Sequence, residues 1–162
     1  MPAVLMVCMA NMCRSPMAMA LLRRRLADAG LAGNWRVESA GTWAREGAPA
    51  AAGAQHALQQ RGIDLSAHRS RGVSAELVRE FDLILTMTRS QQEALQVEFK
   101  DVRDRVHMLA PMAGRPYDVP DPIGGPLSAF RGSAREIDNL IARGFDRIVE
   151  LATANEARRR SA

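Results

Sequence analysis

Apolar positions along this chain follow two alternating rhythms: short continuous runs, and longer stretches spaced near the helical repeat. Val4 to Val7 is the first run and predicts a short buried strand. From Pro16 onward, Ala18, Leu22, Leu26 and Ala29 share one helical face, and Gly30 is a natural stop. Trp35 to Ser39 predicts a second strand, and the Ala-rich stretch from Pro49 to Gln60 a helix ending near Gly62. Polar residues 64–72 lead into a short helix from Ser74 to Glu80. Asp82 to Met87 is the clearest strand, and Thr88-Arg89-Ser90-Gln91 reads as a capping box opening a helix to about Phe99. Val106 to Leu109 predicts a fourth, shorter strand. A loop rich in Pro and Gly covers 110–126, and Ile137, Leu140, Ile141, Gly144, Ile148 and Leu151 then mark a long final helix lying on the sheet.

Strands alternating with helices predict parallel βαβ units, and so a doubly wound α/β domain without linker or repeat. Residues 1–155 make that domain, and 156–162 a basic C-terminal tail. Ligands of such sheets bind at the carboxyl ends of the strands, near the point where strand order reverses. The loop after the first strand is one of those ends.

That loop, Cys8-Met9-Ala10-Asn11-Met12-Cys13-Arg14-Ser15, carries the chemistry. A sharp turn between strand and helix aims backbone N–H groups inward as a nest, and the helix N-terminus adds its own unpaired N–H groups. A dianion the size of phosphate fits. Cys8 sits at the bottom of the bowl, where positive potential favours a nucleophilic thiolate. Arg14 can reach back over the bowl and hold two oxygens with its planar fork, and Ser15 can donate its hydroxyl to the thiolate. Elsewhere in a chain, Cys-x5-Arg is a buried cysteine beside a solvated arginine. The setting between strand and helix outweighs that reading here.

Pro120-Asp121-Pro122, in the long loop before the last helix, is the second chemical element. Phosphoryl transfer needs a proton for the leaving group, which a thiolate cannot supply; a carboxylic acid on a separate loop can. Proline on both sides fixes the direction of Asp121, although an Asp-Pro pair is also an ordinary turn signal. Asp118 is expected to support the loop.

Composition narrows the class. The 162 residues are 47% hydrophobic and 25% charged, so a single packed domain is expected and extensive disorder is not. No apolar run approaches the roughly 20 residues of a membrane span, which leads to the expectation of a cytoplasmic protein. The net charge of +4 suits an enzyme with phosphorylated substrates. Part of that charge is Arg158, Arg159 and Arg160, read as a solvated, frayed helix end rather than a nucleic-acid contact, since aromatic interleaving is absent. Two cysteines in one loop make no zinc site, and His56, His68 and His107 have no ligand spacing, so no metal is expected. Cys13 is either a thiol that resolves an oxidised Cys8 or a small packed residue.

Together these features resemble the low-molecular-weight protein tyrosine phosphatase family over nearly the whole chain. The resemblance rests on Val7-Cys8-x-x-Asn11-x-Cys13-Arg14-Ser15-Pro16-Met17. Asn34-Trp35-Arg36-Val37-Glu38-Ser39-Ala40, His68-x-x-Arg71, Asp82-Leu83-Ile84-Leu85-x-Met87 and Asp121-Pro122 follow in the family's order. It implies a four-stranded parallel sheet with helices on both faces (flavodoxin-like), a cysteinyl-phosphate intermediate, and neither metal nor cofactor. By position, Cys8 is the nucleophile, Arg14 binds phosphate, and Asp121 is general acid and then base. Met9 to Ser15 form the phosphate loop, which Asn11, Ser15, Ser39 and His68 support. The implied partner is a phosphorylated protein, with no nucleic acid or membrane partner, and the chain acts as a monomer or weak dimer.

The departures bear on specificity. The family usually has Gly where Ala10 stands. Eukaryotic members carry two tyrosines after the Asp-Pro pair, whereas Asp121-Pro122-Ile123-Gly124-Gly125 is similar to the bacterial branch containing protein arginine phosphatases. In that branch a loop threonine favours phosphoarginine; Met12 at that position suits an aryl ring better, so phosphotyrosine is the expected substrate and phosphoarginine the alternative. Met12, Trp43 and Ile123 are candidates for the substrate cleft, with Trp43 otherwise a core or rim residue. Arsenate reductases share the loop, but the thioredoxin-coupled kind needs a third cysteine. A non-catalytic phosphate-binding module is weakened by the presence of Cys8, Arg14 and Asp121.

Overall fold

A computed structural model describes residues 1–162. Strand β1 (Ala3–Cys8) is wholly buried and lies at the centre of a parallel sheet. It pairs with β2 (Arg36–Gly41) on one side and β3 (Leu83–Thr86) on the other, and β4 (Val106–Met108) follows β3. The order is β2-β1-β3-β4, all parallel, as expected from the alternation of strands and helices. The chain therefore reverses direction across the sheet between β1 and β3, and the loop after β1 opens at that switch point.

The period of two along β1 sorts its side chains between two cores. Val4, Met6 and Cys8 join the larger one, beneath α1 (Arg14–Asp28), α2 (Ala52–Gln59) and α6 (Leu127–Ser161). Ala3, Leu5 and Val7 join the smaller one, with Val78 of α3 (Ala75–Arg79) and Leu95 of α4 (Arg89–Glu98). A parallel sheet covered on both faces has strands that read as continuous apolar runs, which is why Val4 to Val7 shows no alternation. Thr88 caps α4 as a full capping box, its side chain accepting from Gln91 N and the Gln91 side chain reaching back.

Several boundaries differ from expectation. Helix α1 begins at Arg14 rather than Pro16, because proline is harmless in a first turn that has no N–H to satisfy. Within the expected 110–126 loop, a turn of helix, α5 (Leu109–Met112), follows β4 directly. Helix α6 starts ten residues before Ile137 and runs unbroken across 155 and 156 to Ser161.

The frayed-end reading of Arg158 to Arg160 fails at Arg159, whose Nε lies 2.6 Å from Oδ1 of the fully buried Asp82. Asp82 also accepts from Ala3 N at 2.8 Å through Oδ2 and from Asn155 Nδ2 at 2.9 Å through its carbonyl. A buried carboxylate at the amino end of β3 demands a cation, and the last turn of α6 brings one. The amino terminus pairs with Glu156 on the same turn.

Candidate active site

Cys8 ends β1 in register with Gly41, the end of β2, so two strand ends open side by side. A Cβ on Gly41 would stand 2.4 Å from the Met9 carbonyl oxygen and 3.0 Å from Asn11 N. Only glycine lets the loop fold this close to β2. The sequence marks this residue only as a glycine at the carboxyl end of the second strand.

The loop carbonyls point outward and are taken by the surrounding chain. Cys8 O accepts from Thr42 N, Met9 O from Trp43 N and Met12 O from Ala51 N, each at 2.9 Å, and Cys13 O accepts from Met17 N at 3.2 Å. None of the amide N–H groups from Met9 to Ser15 donates to another group of the protein. With the carbonyls held outside, those N–H groups converge inward on the N-terminus of α1, which makes the bowl a nest for an anion.

Asn11 holds this shape. It is fully buried and has a φ of 57°, the one non-glycine residue in the left-handed region, where asparagine is tolerated best. Its Nδ2 donates to Ser15 Oγ at 2.8 Å and Ser39 Oγ at 2.9 Å, and its Oδ1 accepts from Arg71 N at 3.0 Å. Its carbonyl meets His68 Nε2 at 2.8 Å. A carbonyl only accepts, so Nε2 carries the proton. Burial pushes the His68 pKa down, the Asn11 bond opposes this, and the charges of Arg69, Arg23 and Arg71 add to it. His68 is thus a neutral donor holding the loop. The left-handed residue is Asn11 and not Ala10, so the methyl of Ala10 meets no backbone strain.

At the base, Cys8 Sγ lies 3.0 Å from Ser15 Oγ. Ser15 also approaches Ala40 O, at 3.3 Å. Its single hydroxyl proton can serve only one of them, and Asn11 already donates to the oxygen; a thiolate at the shorter distance is the stronger acceptor. Cys13 is different. Burial first, then the charges of Asp121 and Cys8, push its thiol up to about 12 against the pull of Arg14, so it is protonated at neutral pH.

Arg14, first residue of α1, is almost fully buried. Its Nη1 donates to Val119 O at 3.0 Å, and Nη2 lies 3.4 Å from Asp121 Oδ2. Its Nε is buried and has no acceptor. Leaving a buried charged donor unpaired costs about 1–3 kcal/mol or more, and an anion oxygen in the bowl is the acceptor the arrangement calls for. Asp121 Oδ1 accepts from Ile123 N at 3.1 Å, which directs the half-exposed carboxylate between its two prolines. Asp118 accepts from Arg89 N at 2.9 Å and anchors the loop to the start of α4. Around the mouth, Met9, Trp43 and Ile123 are exposed; Trp43, at 86%, is a rim residue and not part of the core. Met12 is half-buried against the larger core.

Residues 3–154 match the family described as low molecular weight phosphotyrosine protein phosphatase. The chain belongs to that family. Similar to it is the protein-arginine-phosphatase of Geobacillus stearothermophilus, 36% identical over 86% of this chain and 91% of that one. A probable low molecular weight protein-tyrosine-phosphatase, EpsP of Ralstonia solanacearum, is also 36% identical, over 88% and 90%. Among solved structures, the low molecular weight protein tyrosine phosphatase of T. tengcongensis superposes with a TM-score of 0.86 at 33% identity, over 91% and 99% of the two chains. A mutant of YwlE arginine phosphatase with a phosphorylated active-site serine superposes with a TM-score of 0.84 at 32% identity, over 91% and 95%. As a low molecular weight phosphatase, this protein is a phosphoric monoester hydrolase with the four-stranded parallel sheet expected of the family.

Beyond the residues singled out in the sequence, the site depends on the Val119 carbonyl, which steers Arg14, and on Arg71. Besides its amide bond to Asn11, Arg71 donates Nε to Ser39 O at 3.1 Å and Nη2 to Glu38 Oε1 at 2.6 Å. A backbone carbonyl leaves no mark in a sequence. Arg71 was visible within His68-x-x-Arg71, without a role.

Proposed function

We propose that the protein hydrolyses phosphotyrosine in protein substrates by double displacement at Cys8. The observation that carries this reading is the bowl itself: a cysteine with a hydroxyl donor at 3.0 Å, inward amides, and a buried guanidinium Nε without an acceptor. The loop amides and Arg14 hold the three equatorial oxygens of the phosphoryl group. The Cys8 thiolate attacks phosphorus, the ester P–O bond breaks, and Asp121 gives its proton to the departing phenolate oxygen. The Asp121 carboxylate then takes a proton from water, whose oxygen attacks phosphorus and displaces the Cys8 thiolate, releasing phosphate. The two steps use one acid in both directions, and neither needs a metal or cofactor.

Exposed Trp43 and Ile123 offer apolar surface suited to an aryl ring, with Met12 half-buried in the loop itself. Phosphoarginine is the second reading, favoured by Asp121-Pro122-Ile123-Gly124-Gly125, while relatives of both kinds are 36% identical to this chain. The test is kcat/KM on matched phosphotyrosine and phosphoarginine peptides, with Cys8→Ser as the blank. A preference for phosphotyrosine supports the weight given to Met12, and the opposite preference assigns specificity to the Asp121 loop.

The reading further includes a cytoplasmic monomer or weak dimer and a resolving role for Cys13. Oxidation of Cys8 to a sulfenic acid by a peroxide, itself reduced to water or an alcohol, removes one of the two negative charges that hold the Cys13 proton, which eases attack of Cys13 on the Cys8 sulfur with loss of water. No helix is long and apolar enough to cross a membrane.

A further inference from the structure

The surface carries a concave feature whose lining contains no residue of the bowl. It is a cleft of about 670 Å³ on the other side of β2 from it, between the middle of α1 and residues 62–71. Four arginines line it, Arg23, Arg24, Arg69 and Arg71, against two carboxylates, Glu38 and Asp64.

Glu38 and Asp64 offset only two of the four arginine charges. Glu38 is already committed to Arg36 and Arg71. Asp64 accepts from Ser66 N at 2.8 Å, within its own turn. Arg23, Arg24 and Arg69 form no ion pair. Arg23 donates only to Val37 O, Arg24 only to Arg61 O and Gly62 O, and Arg69 only to Ser66 O and His68 O. Each therefore keeps N–H donors and a whole charge facing the cleft. Partial desolvation lowers the Arg23 pKa, and Glu38 alone opposes this. His68, neutral, adds no further charge.

We propose that this cleft binds a small anion carrying two or more linked phosphates. Planar guanidiniums without carboxylate partners recognise phosphate oxygens in pairs. Three of them around one concavity suit several phosphates better than one. The apolar floor, Met19 and Leu65, offers nothing to a hydrated cation. The chemistry is shared by inorganic polyphosphate and by nucleoside polyphosphates, and the experiment distinguishes them. The wall of the cleft is also the wall that holds Asn11: Ser39, His68 and Arg71 line the one and bond the other. An occupant is therefore felt at the amide of Asn11, without entering the bowl.

The test is titration of the ¹⁵N-labelled full chain with sodium tripolyphosphate, and separately with ADP, followed amide by amide. Shifts at residues 62–71 together with Asn11 are the expected result. Arg24→Ala and Arg69→Ala should each weaken binding about tenfold, the loss of one charge-assisted pair, while turnover of an aryl phosphate stays within twofold of the unaltered protein. Tighter binding of ADP assigns the site to nucleotides, and equal or tighter binding of tripolyphosphate assigns it to the inorganic chain. Shifts confined to residues 9–15, no shifts at all, or cleft shifts unaffected by both variants would overturn the proposal. Turnover measured on the same samples keeps its failure distinct from any failure of the phosphatase reading.

Discussion

Asn11 and Ser39 stand 28 residues apart in sequence and 2.9 Å apart in space, joined by a buried hydrogen bond from Nδ2 to Oγ. Through this contact the end of β2 sets the shape of the loop that follows β1. Asn11→Ala removes three side-chain hydrogen bonds at a left-handed residue while leaving Cys8, Arg14 and Asp121 in place. The expected outcome is a fall in kcat of about a hundredfold and a stability loss of about 1–3 kcal/mol, read by steady-state kinetics and urea unfolding. Ser39→Ala, which removes one acceptor, should cost less in both.

Arg14→Lys keeps the charge and loses the fork. Because the buried Nε has no acceptor in the protein and an ammonium offers no planar fork, kcat/KM should fall about a hundred- to a thousandfold. An unchanged kcat/KM would mean that charge alone is what Arg14 provides.

Asp121→Asn tests the general acid by leaving group. Turnover of phosphotyrosine, whose phenolate needs protonation, should fall far more than that of p-nitrophenyl phosphate, whose phenolate leaves unaided. Equal losses on both would remove Asp121 from the acid role.

His68 is held neutral, with its pKa below the ordinary 6.5 chiefly through burial. As pH falls below that value the unfolded chain takes the proton first, so the stabilisation present above pH 6.5 is lost as pH falls toward the folded-state value. His107 is shifted the same way by burial and shares the effect. His68→Gln keeps a donor for the Asn11 carbonyl but does not titrate. The difference in urea midpoint between pH 7.5 and pH 5.5 should shrink in this variant, leaving the part due to His107. An unchanged difference would contradict the assignment.

Arg159→Ala strands the buried Asp82 carboxylate. Arg159 is partly exposed and Asp82 keeps the Ala3 amide, so a loss of about 1–3 kcal/mol is expected, and a chain truncated after residue 155 should lose at least as much. A truncated chain of unaltered stability would show that 156–162 is a dispensable tail.

Much of the fold was legible because local signals agreed. The Thr88 capping box, the unbroken apolar run of β1 and the stop at Gly30 each reported one backbone feature. The start of α6 was not legible, since Leu127 to Glu136 carries few apolar residues. Its first turns are fixed from outside, by Phe130 packing on α2 so closely that a Cβ at Gly53 would stand 2.4 Å from its ring. Arg159 was misread for a related reason: its partner, Asp82, lies 77 residues away, and only the fold places them together. In the site, Cys8, Arg14 and Ser15 were readable because their chemistry lies within eight residues. Val119 and Gly41 were not, because one acts through its carbonyl and the other through the side chain it lacks.

A phosphoryl group carried on Cys8 is detected most directly by mass spectrometry of acid-quenched Asp121→Asn protein after brief exposure to p-nitrophenyl phosphate. The loss of Asp121 slows hydrolysis of the intermediate and lets it accumulate. One phosphoryl group per chain, mapped to the peptide bearing Cys8 and absent from Cys8→Ser treated in the same way, is the predicted result. Turnover with no phosphoprotein, or phosphate mapped to another side chain, would contradict it.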